Sequence, residues 1–140
     1  MSQSVKIATI LPYKENYTFQ KAQAAAIWVC DFFKYSKFKN TNYIFGNTKG
    51  NDYLTKNYIN ISINNLKSKF SSSTNEYCKN FIKKTKNNNF DIIEIHNRPL
   101  VFNYLKKEID SKYILYFHND PLSMNGSKSI SERLKLLDEL

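Results

Sequence analysis

Apolar and polar positions follow two rhythms along this chain. Val5-Lys6-Ile7-Ala8-Thr9-Ile10-Leu11 is a short, β-rich run stopped by Pro12, and it predicts a first strand. A polar loop, YKENYTFQ, follows, and KAQAAAIWVCDFFKYS then reads as a helix. Ala25, Trp28, Val29, Phe32 and Tyr35 share one face of it. Ala26, Ile27, Cys30 and Phe33 extend the apolar surface nearly all round, so this helix is expected to be buried on more than one side. TNYIFGN predicts a second strand ended by Gly46, and YINISI, after the loop TKGNDYLTKN, a third. Ser73 and Glu76 have the spacing of a capping box, with Tyr77, Phe81 and Thr85 on the face of the helix they open. SKFSSSTN is read as the loop leading into that cap, and KNNN ends the helix. FDIIEIHN is the fourth strand. Pro99 suits the first turn of the next helix, whose inner face is Val101, Tyr104, Leu105 and Ile109. KYILYFHND is the fifth strand. After the loop PLSMNGSK, Ser129 and Glu132 repeat the capping spacing, and Ile130, Leu134 and Leu137 give the stripe of a last helix.

Strands alternating with helices imply a parallel sheet with helices on both faces, a three-layer Rossmann-like α/β fold. A length of 140 residues suits one domain, 1–140. The last helix runs amphipathically to Leu140 with neither a glycine cap nor a basic final turn. A doubly wound fold would run on into another strand, so the sequence reads as cut rather than finished.

In an open parallel sheet, ligands bind at the carboxyl ends of the strands, where the strand order reverses. With the order 3-2-1-4-5, strands 1 and 4 flank that crevice and strand 5 lies next to it. The three strand ends are Leu11-Pro12-Tyr13-Lys14-Glu15-Asn16, His96-Asn97-Arg98-Pro99 and His118-Asn119-Asp120-Pro121. Polar and ionisable side chains therefore gather where topology places a site. Each also has a plain use: the histidines and Asp120 suit turns, the asparagines suit helix caps, and Arg98 suits a solvated surface. Facing the crevice, the Arg98 fork would match a phosphate or carboxylate.

Composition changes this picture in a few places. Hydrophobic residues are 41% of the chain and aromatics 15%, enough for a real core. The formal charge is +9, almost all of the cations are lysine, and no block of five occurs. Such charge fits nucleic acid, an anionic membrane surface or a phosphorylated ligand, and equally a solvated lysine surface. No nucleic-acid motif appears and the aromatics fall on core faces, so no nucleic acid is expected. Cys30 and Cys78 form no C-x-x-C pair and are expected to be buried free thiols in a reducing, cytoplasmic setting. No apolar run reaches membrane-spanning length. There is no G-x-G-x-x-G, no P-loop and no metal-ligand spacing, so no metal is expected.

LPYKENYTFQKAQAAAIWVCDF, IIEIHNRP and YFHNDPLSMNGSKSISERLKLL resemble the N-terminal domain of bacterial family 4 glycosyltransferases, retaining enzymes of GT-B fold that build lipopolysaccharide and other surface glycans. The resemblance covers nearly the whole chain. It implies two Rossmann-like domains facing across a cleft, this one binding mostly a glycan or lipid-linked acceptor. The donor-binding C-terminal domain is absent here and would act in cis or in trans. A nucleotide sugar is expected as substrate, with no cofactor. His118 would be the catalytic-site residue, pointing at the reacting sugar. Lys14, Glu15, Asn16, His96, Asn97, Arg98, Asn119 and Asp120 would bind substrate. The chain alone is not expected to turn over, and the location implied is cytoplasmic with peripheral contact at the inner face of the membrane. In one respect it departs from the family. Gln20-Lys21-Ala22-Gln23-Ala24-Ala25 lacks the glycines that let the first helix approach a phosphate. A non-catalytic α/β binding module and a basic nucleic-acid-binding domain are the alternatives.

Overall fold

The computed structural model describes residues 4–64 and 72–140; the first part of SKFSSSTN lies outside them. Five strands, β1 (Ile7–Ile10), β2 (Asn42–Gly46), β3 (Tyr58–Asn60), β4 (Ile92–His96) and β5 (Lys112–Tyr116), alternate with α1 (Ala24–Tyr35), α2 (Ser73–Thr85), α3 (Pro99–Glu108) and α4 (Ile130–Glu139). The sheet is wholly parallel with order β3-β2-β1-β4-β5, the order assumed from the sequence. β1 is central and all four of its residues are buried, as expected of a mostly apolar strand covered on both faces. The chain is a Rossmann-like α/β fold.

Two clusters of buried side chains hold the layers. On one face Ala8, Ile10, Phe45, Ile93 and Ile95 meet Tyr77 and Phe81 of α2 and Val101, Phe102 and Leu105 of α3. Phe102 lies outside the inner face expected for α3, yet it is fully buried and meets Tyr113 edge to face at 5.5 Å. On the other face Leu11, Tyr17, Ile44 and Tyr58 meet Ala26, Val29 and Cys30 of α1. Both cysteines are free and buried. Burial pushes the Cys78 thiol up to about 12, which makes it unreactive at neutral pH.

Three expectations need correcting. α1 is buried on one side only: Trp28, Phe32 and Tyr35 are 39%, 49% and 90% exposed. Its packing cluster involves β2, β3 and Leu11 just past β1, and Ile114 on β5, the edge strand, is exposed too. The cap of α2 is Ser72, whose hydroxyl accepts from the Asn75 N–H at 3.1 Å, rather than Ser73. Two adjacent serines offer a cap, and spacing to Glu76 selects the wrong one. Glu76 instead lies buried in the first turn and accepts from Asn80 at 3.4 Å. In α4 the Ser129–Glu132 capping box is complete, but Ile130, Leu134 and Leu137 are exposed and Leu136 enters the core. Arg133 explains the choice. Its guanidinium donates to the carbonyls of Ser127 and Lys128 at 3.0 and 2.7 Å and so holds that side of the helix against the preceding loop. Among the described residues, no helix is long and apolar enough to cross a membrane.

Candidate functional site

The carboxyl ends of β4 and β5 are stitched together by one side chain. Asn97 follows β4 with φ of 53°, a left-handed conformation that asparagine tolerates better than most residues. Its N–H donates to the Tyr116 carbonyl at 2.8 Å. Its Oδ1 accepts from the His118 N–H at 2.7 Å and from the Asn119 N–H at 3.4 Å. Replacing Asn97 by Ala should therefore destabilise the fold by about 2 kcal/mol or more, through backbone strain and an orphaned donor. Asn97→Gly should recover the strain but not the hydrogen bonds. Urea unfolding of the two variants against the parent separates these contributions.

That stitch sets two imidazoles against each other. His96 is fully buried, and its Nδ1 lies 2.7 Å from Nε2 of His118. The rings are nearly parallel, 15° apart with centroids at 5.0 Å, and His96 also stacks on Tyr116 at 4.8 Å. Trp28 of α1 stands edge-on to His118 at 5.2 Å and stacks on Phe32 at the same distance. Burial, and then the neighbouring His118, lower His96 to about 3. Burial lowers His118 as well, opposed by the charge of Glu15. Two neutral rings share one hydrogen bond, and among the described residues Nε2 of His96 is buried without a partner. An orphaned buried acceptor is more tolerable than an orphaned N–H. This assigns the shared proton to Nδ1 of His96, donating to Nε2 of His118. Nδ1 of His118 then carries a proton, and half-buried His118 offers a donor rather than a base.

The other candidate residues divide sharply. Lys14, Asn97, Arg98 and Asn119 line one cavity of about 390 Å³. Lys14 and Asn16 line an adjoining one of about 590 Å³. Glu15, His96, His118 and Asp120 line neither. Glu15 is buried, and its Oε1 accepts from the Ala26 N–H at 2.7 Å. It satisfies the amino end of α1, where Gln23 supplies no side-chain cap. Asp120 caps the 3₁₀ turn Pro121–Ser123 by accepting from the Leu122 N–H at 2.9 Å. The H-x-D spacing is thus a turn signature. Asn16 accepts from the Lys49 N–H at 3.1 Å.

Sequence reasoning missed Trp28 and Lys128, and it placed Tyr13 at a strand end without giving it a role. The Arg98 guanidinium lies over the Tyr13 ring, 5.6 Å from its centroid. Lys128 reaches the first cavity because the loop after β5 sits directly on the start of α3. At Gly126, φ is 93° and a Cβ would meet Leu100 and Pro99 at 3.0 and 3.1 Å, so only glycine allows this approach. That glycine was the available signal, and nothing in the sequence says what it packs against. Among the described residues, no group of three or more His, Cys, Asp or Glu side chains is placed to hold a metal. Compared with family models, curated proteins and solved structures, the chain matches none.

Proposed function

We propose that the chain is the acceptor-side domain of a retaining glycosyltransferase of the family 4 type, acting with a second, donor-binding domain in cis or in trans. It would pass a sugar from a nucleotide sugar to a glycan or lipid-linked acceptor, in the cytoplasm or at the inner face of the membrane. The observation that carries this reading is His118, set as an N–H donor at the ligand edge of the sheet by His96 and by Asn97. A donor there suits a sugar hydroxyl, and neighbouring Trp28 offers an aromatic ring beside it. Lys14, Arg98 and Asn119 face the adjoining cavity, where an acceptor would lie.

The test is transfer of labelled sugar from a panel of nucleotide sugars to glycan and lipid-linked acceptors by the polypeptide that the whole open reading frame encodes. Transfer that depends on His118 supports the reading; absence of transfer from every donor overturns it. One observation favours the non-catalytic binding module instead: Glu15 and Asp120 both serve backbone N–H groups, so neither is free to act on substrate. That module would bind acceptors and transfer nothing.

A further inference from the structure

We propose that the cavity between the loop after β1, the start of α3 and the loop before α4 is a phosphate site, which holds the phosphate of a phosphorylated acceptor. The word acceptor rests on the function proposed above; the anion site stands on the cavity itself. Three cations line it, each from a different segment: Lys14, Arg98 and Lys128. None of its described lining residues is acidic. Among the described residues, the ion pairs are Lys34–Asp31 and Lys135–Glu139, so none of the three cations has a carboxylate partner. Like charges gathered without a counter-charge repel, and an anionic ligand removes that repulsion.

Arg98 carries the argument further. Among the described residues, its guanidinium makes one hydrogen bond, from Nη1 to the Asn97 carbonyl at 3.1 Å. Its Nε is buried and has no partner among the described residues. A buried donor left unpaired is costly, and a planar fork held against Tyr13 is prepared for bidentate contact with phosphate oxygens. Asn119 and Asn125 add side-chain amides to the lining. Thr74 and Leu100, in the first turns of α2 and α3, also line the cavity, so two helix amino ends raise the positive potential in it. The volume of about 390 Å³ admits a phosphorylated sugar and is too confined for a nucleic-acid strand tracked along scattered lysines.

The chemistry is a phosphate monoester, and two sources supply it: a free sugar phosphate or a lipid headgroup. The experiment is an NMR titration of the 15N-labelled chain with inorganic phosphate, then with glucose 6-phosphate against glucose. A parallel arm pellets the protein with phosphatidylcholine vesicles, with and without phosphatidic acid. The expected result is saturable binding, with shifts confined to Leu100, Asn119, Asn125, Lys128 and the Arg98 Nε–H. Arg98→Gln should weaken it by about tenfold, the loss of a charge-assisted pair. Lys128 is exposed, and its recorded hydrogen bond uses the backbone carbonyl, so Lys128→Gln tests the site even if Arg98→Gln disturbs α3. Preference for glucose 6-phosphate assigns a free sugar phosphate; pelleting that needs phosphatidic acid and is lost in both variants assigns a headgroup. Shifts spread over all surface lysines, or affinities unchanged in both variants, overturn the site. If phosphate binds and no nucleotide sugar is ever consumed, the site stands and the glycosyltransferase reading falls. If His118-dependent transfer is found and phosphate does not bind, the reverse holds.

Discussion

Acidification below pH 6.5 weakens the fold, by up to about 1.4 kcal/mol for each pH unit that His96 governs. The sign follows from the direction of the shift. In the unfolded chain His96 titrates near its ordinary value of 6.5; in the folded chain burial and His118 hold it down to about 3. Between those two values the unfolded state binds a proton that the folded state refuses, so stability rises with pH across the window and levels off above 6.5. His118 adds to the same trend, since it too is lowered. Glu94 works against it. Burial raises its carboxyl despite the hydrogen bond from Thr9, so the folded state takes up that proton first and regains stability as pH falls. The measurement is the urea midpoint followed by circular dichroism at a series of pH values. A His96→Gln variant should lose most of the slope while keeping the midpoint's residual dependence on carboxylates. A parent midpoint that stays level from pH 6.5 down to about pH 4 would falsify the assignment of His96 as buried and neutral.

On the proposed glycosyltransferase function, replacing His118 by Ala should lower sugar transfer by about a hundredfold or more, the usual effect of deleting a positioned donor at a reacting centre. His118→Asn, which keeps an N–H near the same place, should retain part of the activity. The substitution is not silent for the fold. His96 would lose the partner of its Nδ1, which costs roughly 1–3 kcal/mol for a buried donor. Transfer must therefore be measured well below the thermal midpoint of each variant, on the whole encoded polypeptide. Undiminished initial rates in a folded His118→Ala protein would sink the proposed role. A loss of rate restored by His118→Asn separates the donor from mere packing.

The fold was legible because its periods are clean. β1 and β4 are short runs dominated by isoleucine, and they came out as interior strands; the strand order followed from topology alone. The convergence of three polar strand ends was legible for the same reason. What each end does was not. Glu15, Asp120 and Asn97 carry the polar groups that sites use, but each answers a backbone N–H, and sequence spacing cannot tell a cap from a ligand contact. The pairing of His96 with His118 joins the end of β4 to the loop after β5, so no local motif announces it. α1 and α4 failed for a further reason. An apolar pattern states which residues can be buried, and only the arrangement of neighbouring elements decides which are.

Trp28 has one more consequence. It is the single tryptophan of the chain, and it stands edge-on to His118 and close to His96 and Tyr116. The indole is thus the molecule's own optical probe, already installed at the strand ends. When His118 gains a proton, a cation appears beside the ring that absorbs the light. The colour and intensity of the emitted light should follow that event, with no dye attached and no other tryptophan to dilute the signal.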